Sequence, residues 1–295
     1  METNMKAIVV YHNKDMDGFC SGAIARLEFE RQGIEAEMFG WDYNDPLPDS
    51  FFFEGKDVIL TDISFPADLM KNIRTVANSF HWFDHHISAI RDSEAYGYDD
   101  VYGIRKVGDS ATKIIYEHYV GRVLPQVAYW VDRYDVWKQG SDWQTVMINQ
   151  YGMRALLPDP AEDINTWKKA LAGKLTERIA DKGFTLYDFI KQENYKVAKR
   201  SFDLEFEGLK FLALNWQGGS TVLESRITPE YDGMLMFYYT GKEWSVSLYG
   251  NGKDIDLSLI AKKFAGGGHR DSCGFKLDQM DFNIFILDKL LKTKY

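Results

Sequence analysis

The chain has 295 residues, more than one small core needs and suited to two domains. A hydrophobic fraction of 45%, with 8 Trp, 17 Tyr and 19 Phe, excludes a disordered polymer and is enough for two buried cores. The net charge of −9 argues against a broad basic face for long duplex nucleic acid, and no run of about 18 apolar residues exists to cross a membrane. Two cysteines, Cys20 and Cys273, cannot build a disulfide framework, and Met1 to Lys6 lacks the apolar stretch of a signal peptide. The expected location is therefore the reducing cytoplasm.

In chain order, Ala7 to Tyr11 is a continuous apolar run, as expected for a strand covered on both faces. It breaks into the polar turn His12-Asn13-Lys14-Asp15-Met16-Asp17-Gly18. Phe19 to Gln32 carries a helical stripe of Phe19, Ala23, Ile24 and Leu27. Glu35 to Phe39 is a short strand, and Asp57 to Asp62 repeats the theme of an apolar run ending in aspartate. Pro66 opens a helix, and Ser79 to Phe83 forms the next strand. Strands alternating with helices and short turns predict a mainly parallel sheet with right-handed crossovers.

From Ser110 the pattern is helical, with candidates at Ser110–Val120, Pro125–Trp137, Trp143–Leu156, Ala161–Ala172 and Leu175–Arg200. The last is long and rich in Lys/Glu spacing, as a connecting helix would be. Strands return at Phe211–Asn215, Met234–Tyr239, Trp244–Leu248 and Cys273–Leu277, with helices at Asp256–Phe264 and Phe282–Leu291. The expected fold is α/β. An N-terminal mainly parallel sheet flanked by helices occupies 1–192 and becomes helical from about 110; a helical connector leads through a linker at 193–208. A smaller C-terminal α/β domain fills 209–295, with the active site in the interdomain cleft.

Three strand ends present acid: Asp15 with Asp17, then Asp62, then Asp84 followed by His85 and His86. In a parallel sheet these ends share one edge, where open α/β sheets place their ligands. Any one of these aspartates is as well explained by a helix cap or a turn. Together they form an acidic crevice whose mutual repulsion a divalent cation relieves. Two cations about 3.5–4 Å apart, sharing a carboxylate, would neutralise a phosphate and activate water. Gly18 has two readings: a helix start whose amides meet phosphate, or a tight turn requiring positive φ.

These residues carry a resemblance. Asp84-His85-His86 resembles the signature of the DHH phosphoesterase superfamily, and His12 to Gly18 resembles its first motif. Thr61-Asp62-Ile63 is similar to the second motif, and Val131 to Trp137, with Asp132 in a helix, is similar to the fourth. Gly266-Gly267-Gly268-His269, followed by Cys273-Gly274-Phe275, resembles the glycine-rich hallmark of the family's associated C-terminal domain. The resemblance implies that His12 and Asp15 hold one metal, that Asp17, His85 and Asp132 hold the other, and that Asp62 bridges them. Asp135, one turn from Asp132, is the alternative fourth-motif ligand. Asp84 would orient a histidine, His86 would face the scissile phosphate, and a water between two cations, Mn²⁺ or else Mg²⁺, would be the nucleophile.

In the second domain, Gly266, Gly267 and Gly268 would let backbone amides approach an anion, with His269 and Arg270 touching phosphate or sugar. Tyr249 follows Ser247-Leu248 where many relatives carry arginine, and would stack on a base. The expected activity is metal-dependent hydrolysis of phosphoester bonds in short nucleotides: nano-RNA, dinucleotides or phosphoadenosine-phosphate-like molecules. An inorganic pyrophosphatase or polyphosphatase, and a catalytically silent nucleotide-binding module, are the alternatives. The assembly is left open, a homodimer included.

Overall fold

The computed structural model describes residues 7–121 and 123–284. The expected helix Phe282–Leu291 lies mostly outside them. The chain divides into two compact units, 1–187 and 188–295.

The first unit is built on four parallel strands, β1 (Ala7–His12), β2 (Ala36–Trp41), β3 (Asp57–Thr61) and β4 (Ser79–Phe83), in the order β2-β1-β3-β4. Its helices are α1 (Met16–Arg31), α2 (Ala67–Val76), α3 (Ile87–Tyr96), α4 (Ala111–Tyr119), α5 (Gln126–Asp135), α6 (Trp143–Leu156), α7 (Ile164–Leu171) and the first half of α8 (Thr176–Ala198).

The apolar run of β1 is buried on both faces because alternate residues enter two different cores. Val9 and Tyr11 pack with α1, α4, α5 and α6, whereas Ile8 and Val10 pack with Leu60, Trp82, Met70 and Ile73. The outer edge of β4 is covered by the segment after α3: the Trp82 amide donates to the Tyr102 carbonyl, and the Lys106 amide to the Asp84 carbonyl. Gly103 permits this contact, since a Cβ there would stand 2.0 Å from the Trp82 carbonyl oxygen.

The second unit is a mixed six-stranded sheet in the order β5-β6-β7-β8-β10-β9. Its strands are β5 (Phe202–Phe206), β6 (Leu209–Asn215), β7 (Gly233–Tyr239), β8 (Trp244–Gly250), β9 (Gly267–His269) and β10 (Ser272–Leu277), with short helices α9 (Ser258–Lys263) and α10 (Gln279–Phe282). The segment 193–208, expected as a linker, carries the last turns of α8 and all of β5. Its signal was Phe-Asp-Leu-Glu-Phe, a period-two alternation in which Leu204 and Phe206 are buried and the acids exposed.

Two glycines dock α8 onto α6. A Cβ on Gly152 would meet the Ile179 carbonyl oxygen at 2.0 Å, and one on Gly183 would meet that of Ile148 at 1.9 Å. Backbone cannot yield as a flexible side chain does. Gly183→Ala is therefore expected to destabilise the protein by about 1–3 kcal/mol, read from urea midpoints, the usual cost of overpacking. An unchanged midpoint would show that the helices separate freely.

Candidate metal centre

Register alone gathers the site. His12 pairs with Trp41, Tyr11 with Thr61, and Thr61 with Phe83. The next residues along the strands, Asp42, Asp62 and Asp84, therefore emerge with His12 at one edge of the sheet. Asp62 has φ 62°, in the left-handed region that aspartate tolerates better than most residues. Its amide still donates to the Phe83 carbonyl at 2.9 Å, so the chain turns sharply without leaving the sheet.

Around Asp62 the ligand atoms fall into three groups, each within 4.8 Å of one another: His12, Asp15 and Asp62; Asp17, Asp62 and His85; and Asp62, Asp84 and His86. His12 Nδ1 is 2.9 Å from Asp15 and 3.7 Å from Asp62. His85 Nε2 is 3.1 Å from Asp62, 3.4 Å from Asp17 and 3.3 Å from Asp135. Asp62 thus belongs to both groups expected to hold cations.

Rigid elements supply the supporting hydrogen bonds. Asp15 caps α1 by accepting the Gly18 amide at 2.9 Å. Asp17 accepts the Ala111 and Thr112 amides at the start of α4, each at 2.8 Å. Asp84 Oδ1 accepts the amides of His85 and His86, and lies 2.8 Å from His86 Nδ1. With that nitrogen turned to Asp84, Nε2 is the ring atom a ligand would meet.

Two expectations are corrected. Gly18 does not need positive φ, and its amide is taken by Asp15; glycine is required because a Cβ would stand 2.0 Å from the His12 carbonyl oxygen. Asp132, favoured by sequence as the ligand from α5, is engaged by the start of α4 and by Lys138. Its Oδ1 accepts the Ser110 amide at 2.9 Å and its Oδ2 is 3.1 Å from Lys138 Nζ. The α5 aspartate beside His85 is Asp135.

Sequence reasoning missed Asp42, whose Oδ1 is 3.4 Å from His12 Nε2. The signal was available: β2, like β3 and β4, is followed directly by an aspartate. A carboxylate on the far nitrogen is what orients a ligating imidazole.

The substrate-binding candidates lie in the second unit. Tyr249, Ser272 and His269 stand in one row across β8, β10 and β9. The glycines serve the β9–β10 hairpin: a Cβ on Gly266 would stand 2.1 Å from the Gly274 carbonyl oxygen, and Gly268, at φ 126°, lies against the Ser272 carbonyl. Gly267 begins β9, and Arg270 pairs with Asp254 at the surface.

The electrostatics of the first unit's cluster favour cations. Burial, reinforced by the charges of Asp17 and Asp15, pushes the Asp62 carboxyl well above the usual carboxylate range. Burial and Asp17 do the same to Asp135. Burial disfavours protonated His12, yet hydrogen bonds to Asp15 and Asp62 prevail and push it up to about 11. Asp62 Oδ2 and Asp135 Oδ2 are buried with no hydrogen-bond partner among the described residues. Hard oxygen donors left in this state, mixed with imidazoles, fit divalent metals of the Mn²⁺ or Mg²⁺ type.

No family model matches the chain. It is 24% identical to Uncharacterized protein R106 of Acanthamoeba polyphaga mimivirus, over 90% of this chain and 66% of that one, so it spans just under two thirds of that relative's length. Among solved structures it is similar to the pGpG-specific phosphodiesterase PggH from Vibrio cholerae, with a TM-score of 0.55 and 14% identity over 98% of each chain. It is also similar to an exopolyphosphatase-related protein from Bacteroides fragilis, with a TM-score of 0.53 and 14% identity over 97% of this chain and 91% of that one. At these identities the likeness is one of fold. The shared fold is a helix-flanked parallel sheet followed by a mixed-sheet domain.

Ligation requires a neutral His12 imidazole and an ionised Asp62 carboxylate, and both groups hold their protons more tightly than usual. Mn²⁺ binding near pH 7 is expected to release about one proton or more and to tighten from about pH 6 to 8, measured calorimetrically in buffers of different ionisation enthalpy. Binding without proton release would contradict the site's electrostatics.

Proposed function

We propose that the chain is a metal-dependent phosphoesterase acting on short nucleotide substrates. One observation carries the reading: the buried carboxylate of Asp62, on a sharply turned backbone, belongs at once to the His12/Asp15 and the Asp17/His85 ligand groups. His12 and Asp15 would hold one cation, Asp17, His85 and Asp135 the other, and Asp62 would bridge. When bound, the pair supplies Lewis-acid charge that neutralises phosphate and acidifies water.

The chain's own residues do the rest. Asp84 fixes the His86 ring, so that its Nε2 can donate to, or hold, the leaving oxygen of the substrate. Asp42 fixes the plane of His12. The sheet holds all these groups before substrate arrives, so little ordering is left for the reaction. By sequence resemblance, the second unit's hairpin, with Gly266, Gly267, Gly268, His269 and Arg270, and Tyr249 beside it, would bind the part of the substrate remote from the scissile bond. Cys20 and Cys273 are both free and buried, which suits a reducing compartment such as the cytoplasm. Among the described residues no helix is long and apolar enough to cross a membrane.

Hydrolysis of pyrophosphate or polyphosphate is the second reading, favoured by the fold likeness to an exopolyphosphatase-related protein and by Lys262 and Lys263 at the end of α9. Incubation with Mn²⁺ and di- to pentanucleotides is expected to release mononucleotides faster than pyrophosphate yields orthophosphate; the reverse ranking would select the second reading. Turnover of neither, with metal verified bound, would overturn both and point to a silent nucleotide-binding module.

Asp62→Ala is expected to lower kcat/KM by about 10³-fold or more, roughly 4 kcal/mol of transition-state stabilisation, and to lose metal. His86→Ala should keep metal while losing about 10²- to 10⁴-fold in kcat, the range of a lost proton donor. Normal turnover by Asp62→Ala would refute the bridging assignment.

A further inference from the structure

Asp132 is buried, 5% exposed, and the partners of its two carboxylate oxygens, the Ser110 amide and Lys138, lie outside the ligand groups around Asp62. What it touches is the start of α4. Three successive amides there point at two aspartates: that of Ser110 donates to Asp132 Oδ1 at 2.9 Å, while those of Ala111 and Thr112 donate to the two oxygens of Asp17 at 2.8 Å. The Thr112 hydroxyl adds a bond to the Asp17 carbonyl at 3.2 Å. Asp17 therefore has both carboxylate oxygens fixed by a helix N-terminus that Asp132 itself pins one residue earlier.

The pin is neutralised and braced. Lys138 Nζ lies 3.1 Å from Asp132 Oδ2 and 2.9 Å from Asp109 Oδ1, and Asp109 also receives Lys113 at 2.6 Å and Lys106. Lys138 reaches back over α5 because Trp137 adopts φ 53° and reverses the chain, after which the Lys138 amide donates to the Arg133 carbonyl. The Ser110 hydroxyl caps α4 by accepting the Lys113 amide at 3.2 Å. Asp109, Asp132 and Lys138 thus tie the start of α4 to the end of α5, the element that also carries Asp135.

We propose that Asp132 is a positioning residue for the metal centre: by holding the Ser110 amide it sets the start of α4, whose next two amides aim the Asp17 carboxylate. The inference rests on the two-metal reading above. Asp132 acts through backbone, and Asp135 is the ligand.

The experiment is a titration of the full chain with Mn²⁺, counting ions and affinities by calorimetry, for wild type, Asp132→Asn, Asp132→Ala and Asp135→Asn, with kcat and KM on a dinucleotide. Asn can still accept the Ser110 amide. Asp132→Asn should therefore keep two Mn²⁺ ions, with affinity down about 10-fold or less, whereas Asp132→Ala should weaken one ion by about 10- to 100-fold, the usual cost of losing an orienting partner. Saturating Mn²⁺ should restore most of the kcat lost in Asp132→Ala, which a general loss of folding would not allow. Asp135→Asn should lose one ion outright. If Asp132→Asn loses an ion as Asp135→Asn does, Asp132 is a ligand and the inference fails; unchanged affinity in a folded Asp132→Ala would also overturn it. Fewer than two ions in the wild type would instead refute the two-metal reading. If Asp132→Ala does not fold, the Asp132→Asn count still decides.

Discussion

Carboxylates crowded at one buried edge cannot all remain charged without a counter-ion, and the N-terminal unit is organised around that constraint. Asp17, Asp62 and Asp84 are each 2% exposed or less, and Asp135 lies beside them against His85. Two such charges about 4 Å apart repel by roughly 4 kcal/mol at the effective dielectric of a protein surface. A protein has two ways to relieve this: protonate an acid, or admit a cation. The upward displacement of Asp62 and Asp135 is the first response, and divalent ions provide the second.

The acids are not treated alike by the backbone. Asp15 receives an amide from α1, Asp17 two from α4, and Asp84 two from the turn into α3. Asp62 receives none among the described residues, and His85 Nε2, 3.1 Å away, is its hydrogen-bond partner. The central carboxylate thus has no backbone donor, one oxygen unpaired and a backbone in an uncommon conformation. Unsatisfied buried groups and uncommon backbone angles both cost stability, and they concentrate where a ligand repays them. The four-stranded sheet bears that cost because its central strands, β1 and β3, are buried on both faces.

Much of this was legible in the sequence, for reasons that differ by element. Apolar runs such as Ala-Ile-Val-Val-Tyr give a strand buried on both faces, and acid at the end of several such runs gives a shared edge once the sheet is parallel. Asp-His-His named the place. What sequence did not show was direction. Asp132 and Asp135 lie on one helix three residues apart, and which of them meets His85 depends on where α4 begins and how the chain reverses at Trp137, both tertiary facts. Gly18 read equally well as a turn residue, because the close approach of α1 to the His12 carbonyl exists only after packing. The three glycines before His269 resembled an open anion loop, but in the hairpin Gly266 and Gly268 lie against the backbone of β10. Asp42 and β5 were within reach of simple patterns, namely a strand ending in acid and a period-two alternation.

Anomalous diffraction from crystals grown with Mn²⁺ addresses the central claim most directly, because it locates each ion without reference to activity. Two peaks about 3.5–4 Å apart are expected, with the Asp62 carboxylate between them, His12 and Asp15 on one and Asp17, His85 and Asp135 on the other. A single peak, or ions that do not touch Asp62, would contradict the shared-carboxylate centre.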